Sequence, residues 1–167
     1  IDGLSVALTF ENRRLVRGAT RGNGTSGDEV TANVRAIRAI PLTLRGGPTE
    51  RIEVRGEVYF PRAAFARLNR EQEHAGEPLF ANPRNTAAGT MRNLDPGLVA
   101  RRGLGAFFYQ LVTAGDGLEA VPPQHSATLT ALAEWGLPVE PHWARFSGID
   151  EVAAFCEAWA EKRRALA

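Results

Sequence analysis

The chain has a single cysteine, Cys156, which excludes an internal disulfide and a cysteine-cluster zinc site. Its three histidines, His74, His125 and His142, are scattered without metal-ligand spacing and read as surface residues. No apolar run approaches membrane-spanning length and no secretory pattern opens the sequence, so a soluble, cytoplasmic protein without membrane contact is expected. Neither sign of charge is in excess: Lys+Arg number 20 against 19 Asp+Glu, a net charge of +1, so bulk electrostatics imposes no nucleic-acid partner. Lysine is nearly missing. Lys162 is the only one and the other members of that basic count are arginine, a bias that genome composition produces as readily as function. Repeats and low-complexity segments are absent. There is no initial methionine: Ile1-Asp2-Gly3 runs straight into a strand, so the chain reads as an excerpt from a longer protein, cut at an element edge. Its 167 residues suffice for one core with a small appendage.

Apolar alternation predicts a strand over residues 4–10, a turn at Glu11-Asn12 and a hairpin partner over residues 14–20. Arg21-Gly22-Asn23-Gly24-Thr25-Ser26-Gly27 is a glycine-rich loop. Ser26 is a candidate cap for a helix starting near Asp28, with Val30, Val34 and Ile37 as its apolar stripe and Pro41 as its end. Residues 52–60 alternate cleanly: Ile52, Val54, Val58 and Phe60 share one parity, Arg55, Glu57 and Tyr59 the other. Pro61 suits the first turn of a helix to Ala75, with Ala64, Phe65 and Leu68 buried and Gly76 as its stop. Asn82 and Pro83 open a short helix. Residues 105–112 form another strand, 115–123 a loop, 124–135 a helix halted by Gly136, 138–143 an extended segment, and 149–165 a last helix. Val152, Phe155 and Trp159 should face inward there, Cys156 should pack, and Trp135, Trp143 and Trp159 should tie the C-terminal helices to the sheet. Hairpins where crossovers would be needed favour an α+β fold, antiparallel-rich sheets flanked by helices, with the 60–75 and 124–135 helices covering sheet faces.

The segment Asn82-Pro83-Arg84-Asn85-Thr86-Ala87-Ala88-Gly89-Thr90-Met91-Arg92-Asn93 carries the strongest chemical signal. Arg84 and Arg92 stand about two helical turns apart, so both project from roughly one face, with small residues between them and no acid nearby until Asp95. Arginine grips phosphate with paired donors. The pair reads as an anion site or, equally, as a solvated basic face. The Gly22-Asn23-Gly24 loop exposes backbone N–H groups to phosphate or is a plain turn. Glu57 is solvated, or it lines a cleft and accepts from ribose hydroxyls or holds a hydrated divalent metal. Tyr109 can stack on a base, whereas Phe107 and Phe108 read as core packing.

Taken in order, Ile1-Asp2-Gly3, Thr20-Arg21-Gly22-Asn23-Gly24, Val54-Arg55-Gly56-Glu57-Val58-Tyr59 and Asn82-Pro83-Arg84-Asn85 through Arg92 resemble the adenylation domain of bacterial NAD-dependent DNA ligases. Ile1-Asp2-Gly3 is similar to the tail of the K-x-D-G motif of nucleotidyltransferases. The resemblance covers nearly the whole chain, and the N-P-R-N-x-A-A-G-x-x-R segment is its most specific part. It implies a nucleotidyltransferase (ATP-grasp-like) ligase adenylation fold, incomplete at both ends. Residues 1–167 would be a partial adenylation domain that begins just after the nucleophilic lysine and ends before the later lysine motifs.

The implied reaction, a DNA ligase's in replication and repair, has three steps. A lysine takes the adenylyl group of NAD, AMP passes to the 5′ phosphate of nicked double-stranded DNA, and the 3′ hydroxyl seals the nick. By the same resemblance Arg21 lies at the bound adenylate, Glu57 faces the ribose and magnesium through water, and Tyr109 stacks on adenine. Asp2 stands beside the nucleophile, and Arg84 and Arg92 serve ligation on phosphates. Guanidinium, carboxylate and ring should then surround one AMP-sized hollow. The implied partners are NAD and nicked DNA, with the protein a monomer and zinc held only outside these residues.

Two positions depart from the family pattern. The lysine of K-x-D-G would precede Ile1, and Lys162, in an unrelated charged helix end, cannot replace it, so the fragment alone is expected to be inactive. Asn23 stands where the family often has aspartate, removing a negative charge near the adenylate. Two other classes remain beside this one: an ATP-dependent ligase or capping-type transferase, against which the N-P-R-N segment argues, and a DNA-binding module of the same fold that has lost catalysis.

Overall fold

The structure, a computed structural model, describes residues 2–22, 26–113 and 122–165. Asn23 lies outside them, as does the expected 115–123 loop up to Val121. Four strands form one antiparallel sheet, β1 (Leu4–Glu11), β2 (Arg14–Thr20), β3 (Ile52–Tyr59) and β4 (Gly105–Thr113), in the order β2-β1-β3-β4. Among the described residues six α-helices accompany it: α1 (Thr31–Ala36), α2 (Arg62–Ala75), α3 (Pro83–Met91), α4 (Pro96–Arg102), α5 (His125–Glu134) and α6 (Ile149–Lys162), the last running into a 3-10 turn at Arg163–Ala165. None is long and apolar enough, among the described residues, to cross a membrane.

The alternating strands sort their side chains as their period requires. Val6, Leu8 and Phe10 of β1, Ile52, Val54 and Val58 of β3, and Ala106 and Phe108 of β4 are buried in one core. Val30, Val34, Leu68, Ala87, Met91, Val99 and Leu132 join it from the helices and their approaches. The β1–β2 hairpin turns through Asn12 and Arg13, whose φ angles of 48° and 63° give the tight turn that follows sheet twist. Two bulges interrupt the ladders. Thr9 pairs with Arg17 but Phe10 with Leu15, so Val16 is an extra residue. Arg55 pairs with Gln110 but Gly56 with Phe108, so Tyr109 is an extra residue too. After each bulge two consecutive side chains face away from the core: Val16 and Arg17, Tyr109 and Gln110.

Several expectations are corrected. The helix expected from Asp28 starts at Thr31, with Val30 rather than Ser26 at the N-cap position. Residues 28–30 are instead bound to β2, through Thr20 N to Asp28 O at 2.9 Å and Val30 N to Gly18 O at 2.9 Å. That helix stops at Ala36, well before Pro41, because Ile37 turns extended. Its expected apolar residues are nevertheless all buried. Pro61 is the N-cap of α2 rather than a helical residue, and of its stripe only Leu68 is fully buried, with Ala64 and Phe65 packed at the core's edge. The extended segment expected over 138–143 is interrupted by a turn at 141–142; before it Pro138 O takes the amide of Phe108 at 2.8 Å.

Helix α4 was not expected at all, although Asp95 caps it by accepting from Gly97 N and Gly103 ends it in the left-handed conformation. The largest correction concerns α6, which buries nothing: Val152 is exposed, Cys156 is exposed, and Phe155 and Trp159 pack on each other and on Phe146 and His142 rather than on the sheet. Of the three tryptophans only Trp135 packs against the core.

Candidate functional site: a basic hollow on the bare sheet face

Burying Val6, Leu8 and Phe10 sends Ser5, Ala7 and Thr9 to the opposite face of β1. The register then builds cross-strand rows on that face. Thr9 lies between Arg17 and Glu53, Ala7 between Ala19 and Arg55, and Ser5 beside Glu57. The facing alanines leave a shallow floor. Around it stands a hollow of about 520 Å³, lined among others by Ser5, Thr9, Arg17, Arg21, Arg55 and Tyr109. Ser26 and Gly27 close it on the side of the glycine-rich loop.

Arginine dominates its electrostatics. Arg55 is tied to Glu53 at 2.7 Å. Arg17 and Arg21 have no acidic partner among the described residues, so their guanidiniums are available to a ligand. Three cations against one carboxylate favour an anionic guest. Tyr109 owes its place to the bulge: as the unpaired residue of β4 it is 41% exposed while its neighbour Phe108 is 1% exposed. Gly56 makes that geometry possible, because a Cβ there would sit 2.3 Å from the carbonyl oxygen of Phe107.

Glu57 does not line the hollow. It turns to the start of β1, where Oε2 accepts from Ser5 Oγ at 2.7 Å and Oε1 from Gly3 N at 3.1 Å. Through Ser5, which does line the hollow, it stands one residue from the rim. Arg84 completes this corner. Its Nε donates to Gly3 O at 3.0 Å and lies 3.2 Å from Asp2 Oδ1. Asn82 caps α3 by accepting from the amides of Arg84 and Asn85. Thr86 and Thr90 bond back to the carbonyls of Asn82 and Thr86, so α3 buries their hydroxyls satisfied. Ala87 and Met91, fully buried, anchor its inner face.

Arg92 is not a helical residue but the C-cap of α3, and its Nε is 3.0 Å from Asp28 Oδ2. The expectation that Arg84 and Arg92 stand clear of acids is therefore overturned: Asp2 and Asp28, remote in sequence, reach each of them. Both pairs are largely exposed, a setting in which an ion pair contributes about 1 kcal/mol or less, so a phosphate can displace either carboxylate.

The described residues contain no group of three or more His, Cys, Asp or Glu able to hold a metal. Glu57, with both oxygens already accepting, suits a hydrated divalent ion held through water better than direct ligation. Phe107 belongs to the bare face, not the core: it stacks on Tyr59 at 5.2 Å. Burial raises the Tyr59 phenol above its ordinary value, and the Glu140 carboxylate adds to the shift. Burial also lowers the Arg102 guanidinium, which lies 5.3 Å from the Phe80 ring centroid.

Of the three residues expected to surround one hollow, Arg21 and Tyr109 line it, whereas Glu57 stands at its margin, drawn away by Ser5 and Gly3, and Asp2 meets Arg84 at an adjoining corner. Sequence reasoning missed Ser5, Thr9 and Arg17, which the parity of β1 and its hairpin partner would have named. It also missed Asp28, for which no local signal exists.

The profile of the NAD-dependent DNA ligase adenylation domain matches residues 1–167. Similar proteins named DNA ligase include one from Carboxydothermus hydrogenoformans, 51% identical over 166 residues, covering 99% of this chain and 24% of the relative. One from Desulforudis audaxviator is 54% identical over 164 residues, covering 97% and 24%. One from Alcanivorax borkumensis is 47% identical over 167 residues, covering 99% and 21%. The chain therefore spans about a quarter of the length of the curated relatives it matches.

Proposed function

The chain belongs to the NAD-dependent DNA ligase adenylation domain family, and on that footing we propose that it is the adenylate-holding part of a longer, monomeric, cytoplasmic enzyme that seals nicks in duplex DNA during replication and repair. The fold is then a partial nucleotidyltransferase (ATP-grasp-like) ligase fold. The observation that carries the reading is the meeting of Arg21 and Tyr109 at one basic hollow of about 520 Å³, within the size range of small-ligand sites.

In this reading Tyr109 takes the adenine ring on its exposed face and Arg21 the adenylyl phosphate. Glu57 receives the ribose hydroxyls and, through water, magnesium. Asp2 stands beside the lysine nucleophile, and Arg84 and Arg92 neutralise phosphates of nucleotide or nick. NAD, when bound, supplies an adenylyl group whose departing partner is nicotinamide mononucleotide. Apart from the nucleophile, the residues present suit such a transfer. Fixed guanidiniums lower the energy of charge spreading onto phosphate oxygens, and no elaborate acid–base pair is required. Lys162 cannot be the nucleophile, since α6 lends no residue to the hollow; the lysine comes from outside these 167 residues.

The test uses the full-length protein and NAD labelled in its adenylyl half. The expected result is a covalent AMP on a lysine outside residues 1–167, release of nicotinamide mononucleotide, no substitution by ATP, and transfer of the label to nicked DNA. Label on Lys162, use of ATP, or DNA binding without any covalent AMP would each overturn the reading.

A further inference from the structure

Asn33 is the buried polar residue of α1, 6% exposed, and it spends its whole donor capacity on one distant point. Its Nδ2 donates to Met91 O at 2.8 Å and to Asn93 O at 2.7 Å. An amide nitrogen has two hydrogens, and both are used. The two carbonyls flank Arg92. They lie where α3 ends, and the last carbonyls of a helix have no partner within it. Water would satisfy them equally well without fixing their position; Asn33 satisfies and fixes them.

What Asn33 fixes them to is the wall of the hollow. Val34, its neighbour in α1, packs where a Cβ on Gly18 of β2 would meet it at 2.7 Å. Thr31 Oγ1 accepts from Gly18 N at 2.8 Å, and Val30 N donates to Gly18 O at 2.9 Å. Gly18 follows Arg17 and precedes the turn into Arg21. The same stretch also holds the far end of Arg92, through Asp28. Backbone and guanidinium of Arg92 are thus both gripped by residues 28–33, which are themselves bonded to the strand that carries Arg17 and leads into Arg21.

We propose that Asn33 is the positioning residue of Arg92. By clamping the peptide unit that enters Arg92 and the one that leaves Asn93 it sets the direction in which that long side chain leaves α3, and so its distance from the phosphate it serves. This rests on the reading of Arg92 as a phosphate ligand, taken in its nick-phosphate form, in which Arg92 serves sealing and not self-adenylylation. A long side chain magnifies any rotation at its Cα, and a misplacement of about 1 Å in a charge-stabilising group costs on the order of a hundredfold in rate.

The experiment is a double-mutant cycle in the full-length protein, with Asn33→Ala, Arg92→Ala and the combination. Three quantities are measured: single-turnover sealing of a pre-adenylylated nicked duplex, self-adenylylation with NAD, and thermal midpoint. Asn33→Ala should slow sealing by roughly ten- to a hundredfold, leave self-adenylylation within about twofold, and add almost nothing to the loss caused by Arg92→Ala. Losses that multiply in the combined variant, or an equal fall in both steps, would make Asn33 a packing residue only and overturn the proposal. An Arg92→Ala protein that seals normally removes the reading of Arg92 and the inference with it. Slow Arg92→Ala beside normal Asn33→Ala removes the inference alone. Should Asn33→Ala not fold, Asn33→Ser keeps one donor and should give an intermediate loss in sealing, again without adding to Arg92→Ala; sealing at the unmodified rate would count against the clamp.

Discussion

Arg84 reaches back across most of the chain to Gly3, donating from Nε to its carbonyl at 3.0 Å, while Glu57 takes the amide of the same residue from the other side. Gly3, at the mouth of β1, is thereby held between a cation and an anion. Arg84 is exposed, so Arg84→Ala should change stability by about 0.5 kcal/mol or less. In the full-length protein it should lower nick sealing by on the order of a hundredfold. Arg84→Lys should not restore the rate, since a lysine ammonium reproduces neither the geometry of the Nε donor nor the planar fork. Sealing rates read beside chemical denaturation decide the matter: a stability loss as large as the activity loss makes Arg84 structural.

Glu57→Gln and Glu57→Ala separate charge from scaffold. Glutamine can still meet Gly3 N and Ser5 Oγ, whereas alanine can meet neither. We expect Glu57→Gln to keep the wild-type unfolding midpoint yet require more magnesium for self-adenylylation, and Glu57→Ala to lose stability as well. A magnesium titration unchanged in both variants would remove Glu57 from the ribose and metal role.

Gly56→Ala tests the bulge that presents Tyr109. The added carbon would also lie 2.5 Å from Phe108 Cδ1, in the fully packed core, so strand β3 must separate locally from β4. Overpacking of this kind costs roughly 1–3 kcal/mol. Urea unfolding should show that loss, and AMP affinity should fall with it because Tyr109 is displaced; Tyr109→Ala should weaken AMP binding without the loss of stability.

Alkaline pH should weaken the fold through Tyr59. Its phenol is held neutral above the ordinary value of 10.0, first by burial and then by the Glu140 carboxylate. The contribution is complete below the unfolded value and disappears as pH rises through the higher folded one. Tyr59→Phe keeps the ring on Phe107 and should flatten the decline in thermal midpoint above about pH 10. An identical decline in the variant would assign the alkaline loss to other groups.

The strands and the hairpin were readable because alternation reports burial directly, and Asn82-Pro83 announced α3 because cap chemistry is local. The same kind of signal, Asp95-Pro96 with Gly103, brackets α4, whose seven residues are too few to add an apolar period to it. Amphipathic spacing in α6 was read as burial, but a stripe of Val152, Phe155 and Trp159 says only that the helix has two faces, not what lies against either. The acids at Arg84 and Arg92 were unreadable for a different reason. Asp2 and Asp28 become neighbours of those arginines only after the sheet and α1 are in place, and no spacing along the chain encodes that. Arg21 and Tyr109 came together because each occupies an edge of one sheet face, whereas Glu57 was drawn toward Ser5 and Gly3, a pairing fixed by the β1–β3 register.

That register also proofreads the chemistry. A slip of a single residue between β1 and β3 would turn Ser5, Ala7 and Thr9 into the oily interior and expel Val6, Leu8 and Phe10 into water. Cohesion of the interior therefore selects the one alignment in which serine meets glutamate, and a misaligned sheet loses cohesion before it could assemble a defective hollow. In the full-length protein, molecules that survive heating should accordingly keep the proposed sealing activity in full, with lost turnover tracking the fraction melted.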